Sequence, residues 1–218
     1  MSDQTLTRRG EATRARLLEA AVDELIERDG ALEVASVAAR ADVSVGLLYR
    51  YFGSKAGLVA TVVADFYDRS LKETGEGDDR SLDWAARERG RTERSVAFYY
   101  REPLAPIVLT LLAREGEVAA VEARFITKLV DDAARSVQRG QRQGEIPEDL
   151  DARMIGAMLM GAFRVAIAEA LTRSRRPSQS ALTEEMWRFV VAGVRFAPED
   201  VPEGRVAPPS EDAGPPTA

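Results

Sequence analysis

The sequence predicts an all-α protein, and two observations carry that prediction. Apolar residues recur at intervals of three and four through most of the 218-residue chain, the spacing that places them on one face of a helix. Residues that end helices stand between these segments, among them Gly30, Pro103 and Gly144. A chain of this length can bury a substantial core and form one or two domains.

The first helix is predicted from about residue 11 to residue 29. Its apolar face consists of Leu18, Ala21, Val22 and Leu25, and Gly30 ends it. The same spacing recurs in Val34–Arg40 and ends at Asp42. Aspartate tolerates the left-handed backbone that a tight turn often needs. Ser44 is a favourable N-cap for a further helix that runs to about Tyr51. Residues 33–55 therefore predict two short helices joined by a tight turn.

The second of these short helices has an inward and an outward side. Val43, Leu48 and Phe52 are expected to face the core. In a helix-turn-helix, the second helix lies in the major groove of DNA, where polar side chains contact bases and phosphates and apolar ones contact thymine methyl groups. The predicted contact residues are Ser44, Val45, Gly46, Leu47, Tyr49, Arg50, Tyr51 and Lys55. The alternative interpretation is a small helical corner with a few surface aromatics.

This stretch resembles the N-terminal DNA-binding domain of the TetR family of bacterial transcriptional repressors, over about a quarter of the chain. The matching positions are Val37, Ala38, Ala41, Val43, Ser44, Leu48, Tyr49, Tyr51, Phe52, Ser54, Lys55 and Leu58. Three residues depart from the family pattern: Asp42 replaces the turn glycine, Glu33 replaces a capping Thr or Ser, and Leu47 replaces a small polar residue. We therefore expect a weaker cap on the first short helix and no inherited base preference.

The distribution of charge fits a nucleic-acid partner better than the net charge of −6 does. Residues 1–16 hold four arginines against two acids, and residues 40–55 hold three basic residues against one acid. The tail, residues 197–218, holds five acids against one arginine. Basic charge thus lies where phosphates would be met. Residues 1–10 are expected to form a flexible arm, whose Arg8 and Arg9 either reach a minor groove or remain in solvent.

The chain is expected to divide into residues 1–53, the arm and DNA-binding domain; residues 54–196, a helical-bundle domain; and residues 197–218, a disordered tail rich in proline and acid. Ser54 caps a long helix that links the first two; it is predicted to run to about Lys72, with a loop from residue 73. From Asp151 to about Arg173 a helix is apolar on all sides at its centre, which a single helix of a monomer is not expected to be. Because Arg164 and Glu169 interrupt it, we expect a buried helix and not a membrane span.

The last two helices therefore predict a homodimer interface, with ordinary core packing as the alternative. The resemblance implies the same arrangement, because the final two helices of TetR-family members pair across a dimer axis. The predicted interface residues are Met154, Ala157, Met158, Gly161, Ala162, Trp187, Val190, Val191 and Val194.

The resemblance also implies a small-molecule effector bound in the C-terminal bundle, and with few internal polar groups it is expected to be largely apolar. The predicted ligand-binding residues are Phe66, Trp84, Phe98, Leu104, Val108, Phe125 and Met158. The chain contains no Cys and no His, which excludes disulfides, Cys/His zinc sites and histidine-based triads. We expect a cytoplasmic protein, not an enzyme, without cofactor, metal or membrane contact. The function that the resemblance implies is a homodimeric DNA-binding transcriptional regulator, a repressor released from a pseudo-palindromic operator by this ligand. The alternative function is a helical scaffold protein without specific DNA binding.

Overall fold

A computed structural model describes residues 8–75, 82–112 and 116–195 of the chain. These residues form nine α-helices and no strand, so the all-α prediction is confirmed for the described part. The helices are α1 (Arg8–Glu27), α2 (Val34–Arg40), α3 (Val45–Phe52), α4 (Lys55–Gly75), α5 (Trp84–Arg101), α6 (Ala105–Thr110), α7 (Gly116–Arg142), α8 (Ala152–Thr172) and α9 (Gln179–Gly193).

The helix-turn-helix forms as predicted from α2 and α3. Asp42 adopts a φ of 53° in the turn, the left-handed conformation for which aspartate was expected. Ser44 caps α3, since its Oγ accepts a hydrogen bond from the backbone N–H of Leu47 at 3.2 Å. Glu33 makes no side-chain capping bond to α2, which confirms the weaker cap. Leu48 is fully buried beneath α3.

Two boundaries differ from the prediction. The first helix begins at Arg8, so Arg8 and Arg9 lie on an exposed helical turn and the arm can include only the preceding residues, which lie outside the described part. The helix α4 continues to Gly75, where a loop from residue 73 was expected. Local composition placed these ends, but both helices continue for three more residues, although Gly10, Thr74 and Gly75 are poor helix formers. Composition near a helix end does not determine its last turn. The predicted tail lies outside the described residues, and the division at residues 53 and 54 stays a prediction.

The C-terminal part is a bundle in which α7 and α8 pack closely side by side. Gly156 permits this approach, because a Cβ atom there would lie 3.1 Å from the backbone oxygen of Val130 and 3.1 Å from the backbone nitrogen of Ala134. Arg164 of α8 forms an ion pair with Glu122 of α7. The two helices are therefore joined along one side of α8.

The other side of α8 is exposed, which contradicts the expectation of a buried helix. By length and composition Ala152–Thr172 could cross a membrane, and 28% of its most apolar window is buried inside the protein. The outer face of α8, as we use the term below, consists of Met154, Ala157, Met158, Gly161 and Val165, all exposed. Sequence apolarity alone could not distinguish a side buried in the protein from a side left open.

The two parts of the molecule contact each other at the turn after α1. Gly30 has a φ of 88°, and a Cβ atom there would lie 3.3 Å from both Ile107 Cγ2 and Leu111 Cδ1 of the α6 region. At the start of α4, Ser54 Oγ donates to Glu117 Oε1 of α7 at 3.3 Å. The helix-turn-helix part is therefore coupled to the bundle at two points besides the continuous helix α4.

A buried carboxylate joins α1 to α2. Glu24 is 1% exposed, and Ser36 Oγ donates to its Oε2 at 2.7 Å. Arg28 donates to Oε1 at 3.0 Å, and Arg40 Nε lies 3.4 Å from Oε2. The hydrogen bond from Ser36 and the Arg28 guanidinium hold the pKa of Glu24 below its ordinary value of 4.5, although burial opposes them. The charged form of Glu24 is thus a structural component of this domain.

We expect Glu24→Gln to lower the melting temperature at pH 7 by about 4–8 °C. Hydrogen bonds to a charged group contribute about 1.5–3 kcal/mol, and each kcal/mol moves the melting temperature of a chain this size by about 2–4 °C. Because the native pKa is depressed, this stabilisation is fully present above pH 4.5 and is lost as the pH falls through the native pKa. The measurement is thermal unfolding by circular dichroism from pH 3 to pH 8.

Glu27→Gln is the matched control, because Glu27 pairs with Arg40 at the exposed surface and exposed ion pairs contribute about 0–1 kcal/mol. A melting difference between the wild type and Glu24→Gln that persists undiminished at pH 3 would contradict the assignment.

Candidate nucleic-acid interface and internal cavity

The outer face of α3 presents apolar and polar groups to solvent. Val45 is 39% exposed and Tyr49 is 44% exposed, and Ser44, Gly46 and Arg50 are also exposed. A Cβ atom on Gly46 would meet no atom within 4 Å, so the backbone at the start of α3 is open to close approach. Exposed residues at the start of the second helix match the geometry in which a helix-turn-helix enters a major groove.

Three members of the predicted contact set lie at different depths. Leu47 and Tyr51 are only half-exposed, and Tyr51 packs against the core with its ring 6.2 Å from that of Phe52. Lys55 is exposed at the first residue of α4. Its neighbour Ser54 caps that helix through a hydrogen bond from the Gly57 N–H at 2.8 Å. Lys55 is thus exposed at the start of the helix that follows α3, whereas part of Tyr51 is turned inward.

The basic residues of the DNA-binding domain differ in whether their charge is exposed or paired with acids. Arg8, Arg9 and Arg16 are exposed along α1. Arg40 is held by acids, since its guanidinium pairs with Glu27 and lies near the buried Glu24. Counting charge along the sequence included Arg40 in the basic patch, but the fold pairs it with α1. The free basic charge near α3 is therefore smaller than the sequence count indicates.

The bundle contains a cavity of about 240 Å³, and Ala157 and Gly161 of the outer face of α8 are among the residues that line it. It lies among α4, α5, α7 and α8, with single residues from α6 and α9 on its wall. Most of the wall is apolar, and the larger apolar side chains that form it are Trp84, Leu109, Phe125, Ile126, Leu129, Val130, Val137, Leu159, Met160, Phe163, Ile167 and Val190.

The predicted ligand-binding residues divide between wall and core. Trp84 and Phe125 line the cavity. Met158 lies on the outer face of α8, is 58% exposed and does not line the cavity. The remaining four do not reach the wall because they are buried in the core cluster that joins α4, α5 and α6; they are Phe66, Phe98, Leu104 and Val108. Neither the size nor the aromaticity of these residues distinguished those in the core from those on the cavity wall.

A chain of hydrogen bonds forms one polar part of the cavity wall. The indole N–H of Trp84 donates to Ser136 Oγ at 3.0 Å, and Ser136 Oγ donates to Glu88 Oε1 at 2.7 Å. The guanidinium of Arg91 lies 3.3 Å from the same carboxylate oxygen. Sequence reasoning missed Ser136 and Glu88, because nothing in a single sequence links two helices that are nearly 50 residues apart.

A second polar part lies where α4 meets α8. Arg164 lines the cavity and donates to Tyr67 Oη at 3.2 Å while it pairs with Glu122. Tyr99 also lines the cavity, and burial raises its pKa to about 12, so its hydroxyl stays protonated at neutral pH. The cavity therefore combines an apolar wall with a few fixed hydrogen-bonding groups, the usual composition of a small-molecule site.

The predicted interface residues also differ in how far they are buried within the protein. Met154, Ala157, Met158 and Gly161 are exposed, and Ala162, Trp187 and Val191 are half-buried. Val190 and Val194 are buried within the protein, so neither can meet a second chain. Val165 and Phe189 are exposed at 68% and 49% and were not predicted. In the described residues no cluster of three acidic side chains is placed to hold a metal ion.

Residues 17–62 match the family model described as bacterial regulatory proteins, tetR family. The match covers α2, α3 and parts of α1 and α4. No curated protein gives a significant match to the chain.

The fold resembles that of several solved structures of bacterial regulators. A TetR-family transcriptional regulator from Rhodococcus sp., described as putative, is 23% identical; the alignment covers 84% of this chain and 99% of that one, with a TM-score of 0.67. FadR from Bacillus halodurans, a fatty acid degradation regulator, is 17% identical over 85% of this chain and 97% of that one, with a TM-score of 0.73. FadR from Bacillus subtilis, solved with stearoyl-CoA, is 18% identical over 83% of this chain and 98% of that one, with a TM-score of 0.73.

We expect the cavity to bind a small aromatic probe such as naphthol with a dissociation constant on the order of 0.1 mM. In a Trp187→Phe background, Trp84 is the remaining tryptophan, and because it lines the cavity its fluorescence should change on binding. Ser95→Phe fills the cavity and should abolish the change, whereas Ala123→Phe on the exposed side of α7 should not. Equal binding by both variants would show that the probe binds elsewhere.

Proposed function

Because this chain belongs through its N-terminal domain to the TetR family of bacterial regulatory proteins, we propose that it is a homodimeric repressor released from its operator by a small molecule. Its fold supports DNA-binding transcription regulation, and no catalytic family is indicated. The repressor role, the dimer and the effector are our proposals. We also place the protein in the cytoplasm, where bacterial operator DNA lies, and assign it no enzymatic activity.

The observation that carries the proposal is the outer face of α3. Leu48 is fully buried and fixes α3 on the core, while Val45, Gly46, Tyr49 and Arg50 remain open to solvent. In the proposed complex two copies of α3 enter successive major grooves, about 34–36 Å apart, on a pseudo-palindromic operator. Contacts to phosphates would position the domain, and contacts to base edges would give it specificity.

The proposed dimer forms through the outer face of α8 and the exposed side of α9. Met154, Met158 and Val165 lie on one side of α8 and Phe189 is exposed on α9. Gly161 leaves open space where a second helix could approach closely. An exposed apolar surface that includes several large side chains indicates an interface, and an isologous dimer would cover it with the same surface of the partner.

The proposed effector is small and mainly apolar, with one or two polar groups. The cavity of about 240 Å³ is smaller than the roughly 300–1,000 Å³ usual for a ligand pocket, which favours a small ligand. The FadR of Bacillus subtilis was solved with stearoyl-CoA, a larger molecule than a cavity of this volume favours. Glu88, Ser136 and Arg164 would supply hydrogen bonds to the polar groups of the ligand.

The helix α6 offers a route from the cavity to the DNA-binding domain. Leu109 lines the cavity, while Ile107 and Leu111 contact the turn at Gly30. A ligand that displaces α6 would therefore displace the end of α1. The ligand need only bind the conformation with low DNA affinity more tightly, and a coupling free energy of about 1–3 kcal/mol is typical.

The alternative function is a helical scaffold protein that does not bind specific DNA. The exposed outer face of α8 would suit a scaffold equally well, but the match of residues 17–62 to a family of regulators favours DNA binding. Selection of bound duplexes from a random pool distinguishes the two functions. A scaffold would enrich no sequence with two-fold symmetry, whereas a dimeric regulator would enrich one.

Lys55→Ala should weaken binding to every duplex and reduce the slope of log affinity against log salt by about one per half-site. The reason is that Lys55 is exposed at the start of the helix that follows α3 and would neutralise a phosphate. Fluorescence anisotropy titrations between 50 and 200 mM salt measure the slope.

Arg40→Gln is the control for Lys55→Ala, because Arg40 is already paired with Glu27 and lies near Glu24. It removes the same charge from the same domain and should leave the slope nearly unchanged. A larger effect from Arg40 than from Lys55 would overturn the assignment of phosphate contacts.

Met158→Glu should convert the dimer into a folded monomer, because it would bury unpaired carboxylates in the proposed interface. Met158 is 58% exposed in the protomer, so the fold should tolerate the change. Leu82→Glu, at an apolar residue that is 43% exposed and belongs to neither α8 nor α9, is the matched control and should remain dimeric. Sedimentation velocity measures both; two dimeric variants would refute this interface.

A further inference from the structure

We propose that this protein identifies its operator partly through the methyl groups of thymine, which Val45 and Leu47 contact in the major groove. The proposal deepens the function proposed above and rests on it. It concerns the chemistry by which α3 distinguishes bases, which neither the family match nor the similar structures specify.

The first turn of α3 is apolar where it is most accessible. Val45 is the first residue of α3 and is 39% exposed. Gly46 follows, with open space where a Cβ atom would be, so that the edge of a base could approach the backbone closely. Leu47 is half-exposed beside it. Three consecutive residues without a side-chain hydrogen-bonding group therefore occupy the turn that meets base edges in a helix-turn-helix.

The polar residues of α3 leave few other ways to recognise a base. Bidentate recognition of adenine uses Asn or Gln, and recognition of cytosine uses Asp or Glu. None of these four residue types occurs in Val45–Phe52. The Oγ of Ser44 already accepts the Leu47 N–H as the helix cap, which leaves one hydroxyl hydrogen and one lone pair for a single-point contact and no bidentate pairing. Arg50, the side chain able to pair with guanine, lies in the last turn of α3.

Thymine is the base whose major-groove edge carries an apolar group. An exposed valine beside a glycine is complementary to that group in size and polarity. Burial of one methyl group corresponds to about a fourfold change in affinity. In a two-fold symmetric complex each contact occurs twice, so the loss of both methyl groups corresponds to about a 15-fold change.

The experiment uses the full-length protein and the duplex that it selects from a random pool. Each symmetric pair of thymines is replaced in turn by deoxyuridine, which retains the pairing and hydrogen-bonding groups of thymine but lacks its methyl group. We expect one or two positions in each half-site at which this replacement weakens binding by about 15-fold. Other thymines should tolerate replacement with less than a twofold change.

Protein variants separate direct contact from an effect on DNA shape. In Val45→Ala the replacement at one sensitive position should cost less than twofold, because the contacting side chain has been removed. Val45→Thr, which keeps one methyl group, should retain part of the effect. Leu47→Ala should act in the same way at a second position if two positions are sensitive. Lys55→Ala is the control: it should bind all duplexes more weakly but keep the full deoxyuridine effect, since the coupling between two separate contacts is small.

Two results would overturn the proposal, and they are distinguishable. If the protein selects a symmetric sequence but binds its deoxyuridine form equally well, recognition through methyl groups is wrong and the proposed regulator remains. The same conclusion follows if the deoxyuridine effect persists unchanged in Val45→Ala and Leu47→Ala. If no sequence is selected at all, the proposed function itself fails and this inference fails with it. Circular dichroism of the variants shows whether the exposed substitutions leave the fold intact.

Discussion

The burial of Leu48 is the contact on which the functional geometry depends. This side chain is fully buried under α3, together with the apolar residues of α1 and α2. Burial of a leucine contributes about 1.5–3 kcal/mol, and a rotation of α3 that exposed it would lose that free energy. Because successive residues of a helix point in directions about 100° apart, fixing Leu48 inward also fixes Gly46 and Arg50, two residues before and after it, outward. A single core contact therefore orients the surface proposed to meet DNA.

The bundle imposes a different constraint on its longest helices. Gly156 lets the backbones of α7 and α8 approach, and the Arg164–Glu122 ion pair joins them further along. These contacts determine which side of α8 is inside the protein. The apolar residues on the opposite side then remain exposed, although they resemble the inner ones in composition. The same two helices also form a large part of the cavity wall, so the proposed dimer surface and the proposed effector site share α8.

Local patterns in the sequence predicted those features that depend on interactions between residues close together in the chain. The turn at Asp42, the cap at Ser44 and the core position of Leu48 follow from backbone conformation and periodicity within a few residues. Contacts between distant segments were not predicted, such as the Trp84–Ser136–Glu88 hydrogen bonds. Glu24 is an intermediate case. It lies seven residues after Leu17 on the buried side of α1, and a charged residue at such a position signals a buried partner. Val190 and Val194 were misplaced because their helix is apolar on more than one side.

In the proposed complex with DNA, the pairing of Arg40 with acids on α1 would weaken the dependence of affinity on salt concentration. Every phosphate contact makes affinity fall with salt, by a slope of about 0.9 per contact. An arginine committed to Glu27 and close to Glu24 adds nothing to that slope. When intracellular salt doubles, the complex thus avoids roughly a twofold loss of affinity for each such arginine. Occupancy of the operator would then follow the effector more closely than the water content of the cytoplasm.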